Sequence, residues 1–557
     1  MSTPEAIACL RRGDSAGAEA AVVRALEMNP RDVEALSIRA MLRHQRGDIA
    51  GAIEGFNAVL AAAPKDIGAH FNRATLLHQA GRLEEAVLGY ARALELEPRD
   101  VAAWTQCAAA ERALGRHDDA ARSCERALEI DPRNRTALND GGAALAKIGR
   151  FEEALELFDR LVKVDPDSAS AHTNRGKVLA EMGRYEEACS AYKRALVANP
   201  NHAPTWNSLG VARAALGRYA EAIDAYESAS LGENQNFDAG HPLFNKATAL
   251  LLLGDYPRGF DSYAQRFAAK ATNQPPRVEE APRWDGERVD GVMRVRGEQG
   301  VGDQLLFTRL LPLVVARTPR VAVDCDPRIA SLLKRAYPRL ESVLAPSEIA
   351  RDVRAHIAMG DIAGVLKLGP KDIAALPVAM SADAEQTREF RVKYEALANG
   401  RPIVGIAWAS PRAKLARSKS AALEHWGALL REPYFFVSLQ YGDNRADIEA
   451  AEAAFGCEIH RDENVDQLRS IEDFAAQLAA LDCIVTVSNT TAHVAGALGL
   501  KCLVLVPPTH GLHWYWGVEG ATTPWYPTLS LVRRALGAPW DEQIAEAAGA
   551  VRTALLP

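Results

Sequence analysis

The chain has 557 residues, 48% hydrophobic and 25% charged, with a net charge of −7, which fits several ordinary globular domains rather than one core. The acidic balance supplies no basic footprint for nucleic acid, so none is expected as a partner. No apolar run reaches the roughly 18–20 residues of a membrane span or the length of a signal-peptide core at the start, so a cytoplasmic protein with no membrane span is expected.

The first half repeats itself. Pro30, Pro64, Pro98, Pro132, Pro166 and Pro200 are spaced 34 residues apart. Gly13, Gly47, Gly81, Gly115, Gly149, Gly183 and Gly217 keep the same period, as do the alanines from Ala18 to Ala222. Four positions after each alanine stands a larger or apolar residue, among them Phe56, Tyr90, Phe158, Tyr192 and Tyr226. This spells helix, glycine turn, helix and proline stop, because glycine accepts the turn and proline cannot continue the preceding helix. One such hairpin cannot bury its own apolar face, so neighbours must stack into a solenoid. The period is that of the tetratricopeptide repeat (TPR), and an all-α TPR superhelix is expected over residues 1–270.

A finer regularity holds Asn72, Gln106, Asp140 and Asn174 at one position of the first helix. Ser208 breaks the run, with Asn207 beside it, and Asn245 resumes it after an insertion near 231–240. Amide side chains carry both a donor and an acceptor and can pair with both groups of a peptide unit. The alternative is a polar, solvated helix face.

Residues 271–285 fall in a polar, proline-bearing stretch that reads as a linker. Beyond it, short β-rich runs alternate with helical stretches: 292–296, 320–325, 355–359, 402–408, 434–440, 483–488 and 502–507. Such alternation predicts parallel α/β sheets, with ligands at the carboxyl ends of the strands. Two Rossmann-like lobes are expected, over 286–395 and 396–557.

The loop 297–303 (GEQGVGD) follows the first strand and opens a helix, where glycines permit close backbone approach and the helix end favours negative charge. It is not the GxGxxG of a dinucleotide site. Asn489, Thr490, Thr491 and His493 open a second helix after the strand at 483–488. Arg417 and Ser418 lie in a loop with Arg412, Lys414 and Lys419, where arginine suits a leaving phosphate. Asp324, Cys325 and Asp326 spell a DxD metal motif, and His510 and His513 flank Gly511 and Leu512. Two histidines alone rarely make a zinc site, and the eight cysteines include no CxxC pair. No metal and no cofactor are expected.

The blocks GEQGVGDQLLFTRLLPL, VGIAWASP, RSKSAALEHW, SLQYGD and VSNTTAHVAGALG resemble the heptosyltransferase-like GT-B glycosyltransferases, notably bacterial members fused to TPR arrays. The amide series resembles the asparagine ladder of the O-linked N-acetylglucosamine transferases, where that position faces the groove that holds the protein acceptor. The resemblance implies a metal-independent glycosyltransferase moving a sugar from a nucleotide-sugar donor to Ser or Thr hydroxyls of a protein. It makes Asp303 the catalytic base, against the plainer reading of a helix cap. It places Gly300, Gly302, Arg417, Ser418, Gln440, Asn489, Thr490, Thr491 and His493 around the donor, and Asn72, Gln106, Asp140, Asn174 and Asn245 on the acceptor. Similar bacterial proteins glycosylate flagellin with nonulosonic acids, which makes flagellin the leading candidate acceptor. Asn489 stands where the family usually has aspartate. That departure keeps a second reading open, a TPR adaptor whose transferase-like lobes are inactive.

Overall fold

The computed structural model describes residues 2–231, 240–268, 281–345, 352–410, 419–509 and 511–555. The chain divides into two compact units, Met1–Asn201 and His202–Pro557.

The first unit is a stack of helical hairpins running from Ser2–Arg11 to Tyr185–Ala198. Its local code is explicit. Asp32, Asp66, Asp100, Asn134 and Ser168 each cap a first helix, the side-chain oxygen accepting from the backbone N–H three residues on. Each hairpin then turns at its periodic glycine, held at φ between 75° and 82°, a region that costs a side-chain-bearing residue about 1–2 kcal/mol. The large residues of the second helices, Phe56, Tyr90, Phe158 and Tyr192, are almost fully buried. Phe158 and Tyr192 press on glycines of the first helix: a Cβ at Gly142 or Gly176 would lie 2.8 or 2.6 Å from the ring.

The second unit begins with more of the same helices, Ala203–Ala215, Tyr219–Leu231, Gly240–Leu252 and Tyr256–Tyr263. Two parallel sheets follow. Strands β1 (Val292–Arg296), β2 (Arg320–Asp324), β3 (Ser342–Leu344) and β4 (Val353–Ala358) make a four-stranded sheet in the order β3-β2-β1-β4. Strands β5 (Ile403–Ala407), β6 (Phe435–Ser438), β7 (Ile459–His460), β8 (Cys483–Val487), β9 (Cys502–Val506) and β10 (Leu529–Arg533) make a six-stranded sheet, β10-β9-β8-β5-β6-β7. All seven strand runs singled out in the sequence are present. The three others, β3, β7 and β10, are edge strands with one partner each, where cross-strand pairing rather than an apolar run defines the strand. Helix Ala384–Ala398 packs on helix Ile471–Ala479 of the larger sheet, with Arg391 donating to Asp482 over 2.7 Å.

The last repeat helices share a core with the sheets. Tyr256, Phe260 and Tyr263 are buried in one cluster with Phe307, Trp514 and Trp525. Trp525 donates its indole N–H to the Tyr256 hydroxyl over 3.1 Å. The last helices of the periodic sequence therefore belong to the same packed unit as the sheets.

Candidate active site

The site forms where β1 and β8 hand over to helices. Gly297 follows β1 and donates to the Asp324 carbonyl over 2.8 Å; a Cβ there would lie 2.6 Å from that oxygen. Gln299 holds φ 61°, and Gly300 starts helix Val301–Thr308. Asp303 accepts from the Gly300 N–H at 3.4 Å, a long cap bond, while also lining the cleft. On the other side, β8 leads through Ser488 to Asn489, which caps helix Thr490–Ala497.

The two helices meet at Gly302 and His493, where a Cβ on Gly302 would lie 2.7 Å from the imidazole Cδ2. That ring has little room to yield. Its Nδ1 faces the Tyr526 hydroxyl at 3.1 Å, its Nε2 faces the Tyr515 hydroxyl at 3.2 Å, and Trp516 covers it. Gly302→Ala should therefore cost about 1–3 kcal/mol through overpacking. A lowered urea midpoint is the expected result, and an unchanged midpoint would mean that the contact gives way freely.

Between these helices lies a cleft of about 210 Å³. It brings together Gly300, Gly302, Asp303, Asn489, Thr490 and His493 from the expected set. Lys419, His513, Tyr515, Tyr441 and Arg328 complete much of its wall. Lys419 is 2% exposed and its Nζ meets His513 Nε2. His513 in turn stacks on Tyr515, ring centroids 5.0 Å apart. Burial, with a smaller contribution from the Lys419 charge, pulls the His493 pKa down to about 3. His493 is thus neutral near pH 7, with one N–H, and both ring nitrogens face tyrosine hydroxyls. His493 thus lines the cleft while both its ring nitrogens are met by hydroxyls of the protein itself.

The remaining expected residues are placed as follows. Asn489 is held at three points: Oδ1 accepts from Thr491 N–H and Thr486 Oγ1, and Nδ2 donates to the Ala409 carbonyl at 3.4 Å. Aspartate could not make that last bond. Thr491 is buried beneath the cap and does not line the cleft. Gln440 lies beside it, in an adjoining pocket of about 260 Å³, with Oε1 accepting from the N–H groups of Trp408 and Ala409. Arg417, Ser418, Arg412, Lys414 and His510 lie outside the described residues. Asp324 is gripped by Arg294 at 2.9 Å and Asp326 by Arg328 at 2.8 Å, so both carboxylates of the DxD triplet are ion-paired. Tyr441 stands in the SLQYGD block beside Gln440 but was not singled out there, and Arg328 stands in a segment without a motif.

In the first unit Asn72, Gln106, Asp140 and Asn174 are half-buried on successive first helices. Asn72 and Gln106 make no side-chain hydrogen bond among the described residues. Asn174 donates to Asn139 over 3.0 Å, and Asp140 accepts from Asn139 and pairs with Arg112. In the second unit Asn245 donates to Asn207 over 3.0 Å, while Ser208 bonds back to the Pro204 carbonyl. The series is therefore linked laterally through the preceding asparagines, Asn139 and Asn207, a pairing that a single-position pattern does not reveal.

Family models described as tetratricopeptide repeat match residues 3–67, 140–203 and 174–239, and another matches 67–87. The chain carries tetratricopeptide repeats. A model described as bacterial transcriptional activator domain overlaps the tetratricopeptide array at 90–167. Protein FlbA of Caulobacter vibrioides is 28% identical over 334 residues, 56% of this chain and 54% of that protein. The chain thus spans about half the length of the curated relative it matches. Among solved structures, YrrB, described as a TPR protein with an unusual peptide-binding site, is 25% identical over 32% of this chain and 91% of its own, with a TM-score of 0.29. The pilF protein of Pseudomonas aeruginosa is 21% identical over 37% and 92%, with a TM-score of 0.32. No helix among the described residues is long and apolar enough to cross a membrane.

Proposed function

We propose that the chain is a GT-B-type glycosyltransferase that moves a sugar from a nucleotide-sugar donor to a Ser or Thr hydroxyl of a protein held by its TPR arm. The observation that carries this reading is the cleft, where the Asp303 carboxylate faces the helix start at Asn489–Thr490 with Lys419 in the same wall. A helix N-terminus and a cation suit a phosphate, and a carboxylate across from them suits a proton. In the reaction the acceptor oxygen attacks the anomeric carbon and gives its proton to Asp303. The bond from that carbon to the nucleotide phosphate breaks, and its electron pair leaves on the phosphate beside Lys419. With Asp324 and Asp326 paired to arginines, the leaving charge is met by protein groups in this reading, and chelators should leave turnover intact. Flagellin, with a nonulosonic acid as the transferred sugar, is the proposed acceptor. The test is a panel of nucleotide sugars scored for thermal stabilisation and for donor hydrolysis, since a ligand of the folded state raises its stability. A panel without a single stabilising donor would remove the transferase reading.

The TPR arm is assigned to the acceptor. Changing Asn72, Gln106, Asn174 and Asn245 together to alanine should raise the acceptor KM tenfold or more, at roughly 0.5–1.5 kcal/mol per amide bond, while donor hydrolysis persists. Alanine suits a helix better than either amide, so the fold should survive. Unchanged glycosylation of the protein acceptor would make the series a solvated face.

A further inference from the structure

The loop that carries Asp303 is fastened from outside the sheets. Arg266, just past the last repeat helix, is 0% exposed. Its guanidinium forks onto Glu298, Nε to Oε2 at 2.7 Å and Nη2 to Oε1 at 2.6 Å. Nη1 reaches the Asp361 carboxylate at 2.5 Å and the Tyr263 carbonyl at 3.0 Å. Glu298 Oε1 also accepts from the Gly360 N–H at 2.8 Å. One cation thus ties three segments: the end of the repeats, the glycine loop after β1, and the turn after β4. A second tie sits one residue further on. Gln299, in the left-handed region at φ 61°, donates from Nε2 to the buried Tyr263 hydroxyl at 3.0 Å. Left-handed backbone at a residue with a side chain persists only where its surroundings enforce it.

We propose that Arg266 and Glu298 are positioning residues of the cleft: through the 297–303 loop, the end of the repeat array sets where Asp303 stands. The inference rests on the transferase reading. Neither residue lines the cleft, and both act through the backbone between Glu298 and Asp303. A misplacement of the reacting groups by about 1 Å can cost around a hundredfold in rate, so a network that fixes this loop controls turnover more than donor affinity.

The test compares the full chain with Glu298→Gln, which keeps shape and removes the charge, and Arg266→Lys, which keeps charge and removes the fork. Each is read by kcat and KM for the donor and by hydrogen exchange in 297–303 and in 490–497. The expected result is a kcat at least about tenfold lower at unchanged donor KM. Exchange should speed up in 297–303 and stay as in the native chain in 490–497. Unchanged kcat with unchanged exchange in the loop overturns the proposal. Faster exchange spread equally over both segments overturns it too, assigning the cluster to general stability. A native chain without turnover on any donor sinks the transferase reading instead, and the exchange pattern then decides by itself whether Arg266 and Glu298 fix the loop.

Discussion

Asp303→Asn should lose sugar transfer by about a hundredfold or more while keeping the fold and the nucleotide affinity, the scale expected for removal of a general base. The substitution is nearly isosteric. Its Oδ1 can still accept the Gly300 N–H, so the start of helix Val301–Thr308 stays capped. What is lost is the basic carboxylate facing the cleft. Single-turnover transfer measured at saturating donor separates chemistry from binding. An undiminished rate would leave Asp303 as a helix cap and nothing more. A rate lost together with nucleotide affinity would mean that the residue shapes the donor site instead.

Cutting the chain at its apparent linker should destroy the α/β unit, whereas cutting at residue 202 should spare it. A fragment starting at 271 loses Tyr256, Phe260 and Tyr263 from the shared core, each worth about 1.5–3 kcal/mol of burial. It also loses Arg266, leaving Glu298 and Asp361 without their buried cation, a loss of roughly 3–5 kcal/mol. Together these rival the whole stability of a typical domain, about 5–15 kcal/mol. The fragment 202–557 retains every one of these contacts. Urea unfolding followed by tryptophan fluorescence should show a cooperative transition for 202–557 and none for 271–557. A cooperative transition for the shorter fragment would mean that the aromatic and ionic contacts of the last repeat are dispensable.

The repeat was legible because each of its parts is local. A 34-residue period, glycines at the turns and prolines at the stops are properties of single hairpins, and they name the helices before any packing is known. The strands from β1 to β9 with strong apolar runs were legible for the same reason, and so were the two helix starts that face the cleft, at Gly300 and Asn489. The edge strands β3, β7 and β10 were not, because pairing with one neighbour defines them. His493 shows the limit most clearly. The resemblance put it around the donor, but nothing in the chain announced that two tyrosines from 22 and 33 residues downstream face both its nitrogens, or that burial keeps it neutral. Gly302 reads as a phosphate-loop glycine and is also the point where two helices touch. The alliance of Arg266 with Glu298 and Asp361 spans 32 and 95 residues of chain and follows no period. The sequence by itself thus determined the repeat, the existence of the seven apolar strands and the identity of the two helix starts, since short-range rules govern all three; the order of the strands in each sheet came from pairing across the fold. Only the tertiary structure decided where the repeat stops being a separate arm, because that depends on which buried charges and rings find partners across the fold.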